Sequence, residues 1–77
     1  MRRLRWQCRR GMLELDWLLE AYLERAYPTA PPAERADFEA LLGLQDPLLQ
    51  AWLLSGTAEV PGPFREIVVR VRAAAMD

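Results

Sequence analysis

Proline and glycine cut this chain into pieces too short for anything but small elements. Gly11, Pro28, the Pro31-Pro32 pair, Gly43, Gly56 and Pro61-Gly62-Pro63 leave Met12 to Tyr27 as the longest uninterrupted stretch. Glycine reaches the left-handed backbone that ends a helix, and proline is tolerated in a helix only in its first turn. A chain of 77 residues divided this way reads as one small domain over 1–77. Its core is thin, because a chain this short buries roughly 60–65% of its unfolded surface.

Between the breaks the apolar spacing is helical. Arg2 to Arg9 carries Leu4, Trp6 and Cys8 among arginines. The alternation suits a strand, but Leu4 and Cys8 are also i,i+4 neighbours and no partner strand is evident, so a short helix is expected. Met12 to Tyr27 is the clearest helix, with Met12, Leu15, Leu19, Tyr22 and Ala26 forming one stripe and Pro28 stopping it. Pro32 to Leu42 places Phe38, Leu41 and Leu42 at helical spacing, and Gly43 closes it. Asp46-Pro47 reads as an N-cap followed by proline in the first turn, opening a helix that carries Leu48, Leu49, Trp52 and Leu53 and ends near Ser55-Gly56. Phe64 to Met76 contains the β-branched run Ile67-Val68-Val69, which favours a strand by propensity. Ile67, Val71 and Ala74 or Ala75 nevertheless make a helical stripe, and a lone strand has no sheet to join. The expected fold is all-α, a small compact bundle of about five short helices.

Charge narrows the function. All ten basic residues are arginines, and Arg2, Arg3, Arg5, Arg9 and Arg10 precede the first acid. From Gly11 to Glu59 nine acids face only Arg25 and Arg35. Arginine favours planar, forked recognition of carboxylate or phosphate. An overall pI near 5.4 argues against nucleic acid, which requires a basic face unopposed by acids. No apolar window is long enough to cross a membrane, and the opening residues lack a secretory signal's apolar region, so a cytoplasmic bacterial protein is expected.

Catalytic chemistry finds few groups to work with. The chain has no histidine and one cysteine, so neither a metal site of ordinary ligands nor a Cys-His pair can be assembled. Cys8 reads as a small buried apolar group. Glu14 and Asp16, two apart, point about 200° from one another on a helix and cannot share a substrate. No Gly-rich phosphate loop is present. A binding module rather than an enzyme is expected.

One segment stands out. Arg9-Arg10-Gly11-x-x-Glu14 places a glycine break before a helix whose first turn holds a carboxylate, where the helix dipole favours it. In isolation this is an ordinary helix boundary. Trp6-x-Cys8-Arg9-Arg10-Gly11-Met12-x-Glu14-Leu15-Asp16, however, resembles the signature of the succinate dehydrogenase assembly factor family, the flavinylation factors of bacteria and mitochondria. Phe38-Glu39-x-Leu41-Leu42 followed by Asp46-Pro47-x-Leu49-x-x-Trp52 resembles that family's later motif. Leu48 departs from it, standing where the family often has an acid.

The resemblance implies a five-helix fold and a partner, the flavoprotein subunit of succinate dehydrogenase, with that of fumarate reductase as a second candidate. It implies that the chain promotes covalent attachment of FAD to that subunit; no FAD stably bound to the chain itself is expected. The implied partner-binding residues are Arg9, Arg10, Gly11, Glu14 and Asp16. Gly11 would permit close backbone approach, Arg10 would offer a fork to a partner carboxylate or flavin phosphate, and Glu14 would accept a hydrogen bond across the interface. Asp46 is expected to cap its helix and Trp52 to fill the core. The competing reading is a small helical regulatory module with an unrelated partner.

Overall fold

The computed structural model describes residues 2–56 and 59–76. Among the described residues five α-helices follow one another: α1 (Arg2–Gln7), α2 (Leu13–Arg25), α3 (Pro32–Leu42), α4 (Asp46–Gln50) and α5 (Gly62–Ala75). A 3-10 turn at Tyr27–Thr29 follows α2, and a π-helical turn at Ala51–Ser55 continues α4. No strand occurs among the described residues. The β-branched run of α5 is helical because Ile67, Val68, Val71 and Ala74 share its buried face, and burial outweighs a propensity difference of tenths of a kcal/mol per residue.

The bundle is built around α2 and α5, which pack along each other. α3 lies on α5, the π turn touches both α2 and α5, and α1 rests on α2 alone among the helices it meets closely. The radius of gyration is 11.2 Å, close to the ~11.5 Å expected of a compact chain of this length. Leu15, Leu19, Tyr22 and Leu23 of α2 are sealed against Phe38, Leu41, Leu49, Ile67 and Val71. Burying each such side chain contributes about 1.5–3 kcal/mol.

Aromatic rings and two phenol–carboxylate bonds fasten α3. Phe38 sits between Tyr22 and Tyr27, with ring centroids 4.5 and 5.8 Å away. The Tyr22 hydroxyl donates to Glu34 and the Tyr27 hydroxyl to Glu39, each at 2.6 Å. Burial and the bond to Glu34 push the Tyr22 phenol well above its ordinary range. Trp52 fills the core as expected, 5.4 Å from the Phe64 ring.

α1 stops at Gln7 rather than Arg9, α2 starts at Leu13 rather than Met12, α5 ends at Ala75 rather than Met76, and three further boundaries differ from the sequence reading. α2 ends at Arg25 rather than at Tyr27, because the chain tightens into the 3-10 turn that contains Pro28. α5 begins at Gly62, since Pro63 sits in its first turn instead of before it. Gln45, not Asp46, is the N-cap of α4, and no side-chain cap bond forms there. The Asp46 carboxylate points elsewhere, for a reason given by the site.

Candidate functional site

The motif segment leaves α1 through a turn anchored by Cys8. Its N–H donates to the Leu4 and Arg5 carbonyls at 3.1 and 3.2 Å, and its side chain is fully buried. Burial, with the Glu20 carboxylate adding to it, pushes the thiol up from an ordinary 9.0 to about 11. A thiol so held is a poor nucleophile at neutral pH.

Gly11 has a φ of +82°, in the left-handed region that disfavours side chains. This is why glycine stands there. A Cβ added to Gly11 would meet nothing within 4 Å, so no close approach within the chain calls for it, and the space in front of it is open. Met12 then enters α2 in extended conformation, and Asp16 N–H closes the first helical bond on the Met12 carbonyl at 2.8 Å.

Around this glycine the candidate residues divide into two groups. Arg10 and Asp16 are tied into the fold. The Arg10 backbone N–H donates to Asp16 Oδ1 at 2.7 Å. Its guanidinium turns inward: Nη2 donates to the Leu42 carbonyl, and Nη1 reaches the Leu44 carbonyl at 3.3 Å and Asp46 Oδ1 at 3.4 Å. Only 17% of the Arg10 side chain is exposed. The Asp46 carboxylate is therefore drawn to Arg10 instead of capping α4. The fork expected to face a partner is used on the chain's own α3–α4 corner.

Arg9, Gly11 and Glu14 are exposed. Among the described residues the Arg9 guanidinium makes only a long 3.8 Å pair with Glu20, and the Glu14 carboxylate has no hydrogen bond or ion pair. Large apolar side chains flank them: Trp6 is 76%, Leu13 86% and Trp17 56% exposed. Leu13 and Trp17 are i,i+4 neighbours on the outer face of α2. Glu14 and Trp17 also line a groove of about 280 Å³, together with residues that include Leu53, Leu54, Arg72 and Met76. Of these features, the bare aromatic surface is the kind enriched at protein–protein contacts.

The comparisons agree on what kind of protein carries this site. The sequence model of the family described as "flavinator of succinate dehydrogenase" matches residues 2–75. The chain belongs to that family. It is 39% identical to the FAD assembly factor SdhE of Coxiella burnetii over 71 residues, covering 92% of this chain and 87% of that protein. Identity to the FAD assembly factor SdhE of Shewanella oneidensis is 40% over 74 residues, covering 95% of this chain and 89% of that one. With the FAD assembly factor SdhE of Idiomarina loihiensis it is 49% over 53 residues, or 69% of this chain and 59% of the relative. No solved structure matches the chain at a significant level.

Membership of the flavinator family accords with the five helices read from the sequence. Both motif blocks that carry the resemblance meet in space, since Arg10 of the first grips Asp46 of the second. Sequence reasoning missed this contact. Two of the three Arg10 acceptors are backbone carbonyls, which leave no trace in side-chain pattern. The exposed groove beside Glu14 was missed too, although exposed Trp17 was a signal for it. Among the described residues no group of His, Cys, Asp or Glu is placed to hold a metal ion, and no helix is long and apolar enough to cross a membrane.

Proposed function

We propose that this protein is an assembly factor that binds the flavoprotein subunit of succinate dehydrogenase and promotes covalent attachment of FAD to it. One observation carries the reading: the chain matches the flavinator family over residues 2–75 and FAD assembly factors over nearly its whole length. The geometry supports a role by contact. Arg9, Gly11 and Glu14 present charge and open backbone at the surface, flanked by Trp6 and Trp17, while Arg10 and Asp16 hold that surface in shape.

The attachment chemistry belongs to flavin and partner, and the factor favours a competent conformation of the subunit by binding it. It acts as a binding protein and not an enzyme, in the bacterial cytoplasm, and also serves the flavoprotein subunit of fumarate reductase. FAD stays with the partner. In support, the Arg10 fork, the group best suited to a flavin phosphate, is already engaged by the chain itself, and no Gly-rich loop offers an alternative cradle.

Co-expression with a succinate dehydrogenase flavoprotein subunit tests this, with covalent flavin read as fluorescence of the denatured subunit in a gel. The signal is expected with the factor and absent without it. Gly11→Arg is expected to abolish it while circular dichroism of the factor stays helical. Equal flavinylation with and without the factor sinks the proposal.

A further inference from the structure

We propose that Asp46, with the carbonyls that end α3, is a positioning residue for the motif turn: it acts through Arg10 and sets the orientation in which Gly11 and Glu14 meet the partner. This inference rests on the functional reading above.

The α3–α4 corner is built to receive a cation. A helix leaves its last carbonyls without intrahelical donors, and they carry the negative end of its dipole. Gly43 N–H bonds back to the Ala40 carbonyl and Leu44 N–H to the Leu41 carbonyl, each at 3.1 Å. Those turn bonds use carbonyls 40 and 41, and the carbonyls of Leu42 and Leu44 are taken by Arg10. Asp46 adds a full negative charge to these partial ones. A largely buried guanidinium needs that compensation. The fork spreads these acceptors over two nitrogens, Nη2 on the Leu42 carbonyl and Nη1 on the Leu44 carbonyl and Asp46, a span that the single nitrogen of a lysine does not match.

Arg10 is thereby held at both ends. Its guanidinium is fixed to the corner, and its backbone N–H to Asp16 at the start of α2. Gly11 follows directly and has no such anchors, since nothing lies within 4 Å of where its Cβ would be. The direction of the turn is therefore inherited from Arg10, and Glu14 lies three residues on. Neutralising Asp46 frees the guanidinium and lets the turn sample other orientations. Apparent affinity then falls in proportion to the competent fraction.

The test measures binding of the full-length chain to the purified flavoprotein subunit of succinate dehydrogenase. Asp46→Asn is expected to weaken binding by about 5–10-fold, and Asp46→Glu, which keeps the charge, to restore most of it. If Asp46 acts through Arg10, Asp46→Asn adds nothing to Arg10→Gln. Combined with Glu14→Gln, its effect multiplies, because Glu14 is a separate contact. Amide spectra of the free Asp46→Asn variant are expected to shift at Gly11, Met12 and Glu14 and to stay put in α5. Wild-type affinity in Asp46→Asn, or additive losses with Arg10→Gln, overturns the inference. So does a spectrum changed throughout, which would make Asp46 a general support of the fold. If the wild-type chain fails to bind the flavoprotein subunit, the functional reading falls, and the spectra alone then judge the coupling of Asp46 to Gly11.

Discussion

The backbone N–H of Arg10 and the carboxylate of Asp16 meet at 2.7 Å across the Gly11 turn. That bond spans the one point where the chain is left-handed between α1 and α2, so it is what keeps the turn closed. Hydrogen bonds to charged groups are worth about 1.5–3 kcal/mol. Asp16 is partly exposed, which puts Asp16→Ala near the low end, at about 1–2 kcal/mol. Asp16→Asn keeps an acceptor oxygen and should lose less than half as much. Urea unfolding of the two variants decides it, and equal losses would contradict this assignment.

Gly11 has a positive φ but no steric neighbour, so substitution there costs through backbone strain alone. Gly11→Ala is expected to destabilise by about 1–2 kcal/mol, the penalty for a side chain in the left-handed region. Gly11→Asn should cost less, since asparagine visits that region more readily. Denaturant midpoints that rank alanine as the milder change would refute a conformational origin.

Glu14 offers the opposite case. Its side chain is exposed and, among the described residues, unpartnered, in the first turn of α2 where acids are favoured. Glu14→Gln should therefore change stability by no more than about 0.3–1 kcal/mol while weakening partner binding severalfold. Thermal melts alongside a binding titration separate the two effects. A variant that binds normally removes Glu14 from the contact surface.

Cys8 makes the fold sensitive to alkaline pH. Its thiol is raised from 9.0 to about 11 by burial and by Glu20, so the unfolded chain releases this proton first. The contribution is fully present below pH 9, fades as pH rises, and is gone above about 11. Its size is on the order of 2 kcal/mol. Stability curves between pH 8 and 11 should be flatter for Cys8→Ala than for the wild type. The Tyr22 and Tyr27 phenols, also raised, add to the alkaline loss in the same direction. Parallel curves for the two proteins would contradict a buried, protonated thiol.

How far the sequence could be read depended on which atoms made each contact. Helices α2 and α3 were legible because their core positions, such as Leu15, Leu19 and Phe38, follow a 3.6-residue repeat. α5 was legible against its own β-branched residues, since Ile67 and Val71 keep that spacing. The α4 start was misplaced by one residue. Asp46 has the chemistry of a cap, but the nearby Arg10 guanidinium competes for the same carboxylate. Gly11 was legible as a break because its backbone demands glycine. The division of the motif into exposed Arg9, Gly11 and Glu14 and tethered Arg10 and Asp16 was not. It is set by carbonyls more than thirty positions away.

The three tryptophans give the molecule its own optical reporters. Trp52 is sealed beside Phe64, whereas Trp6 and Trp17 stand bare near either end of the motif segment. Docking of a partner over that segment would dry the two outer indoles and leave the inner one unchanged. Their emission therefore shifts to the blue against a built-in internal standard, and a flavin brought near them quenches it by energy transfer. Encounter and release can thus be followed in real time on the unlabelled protein.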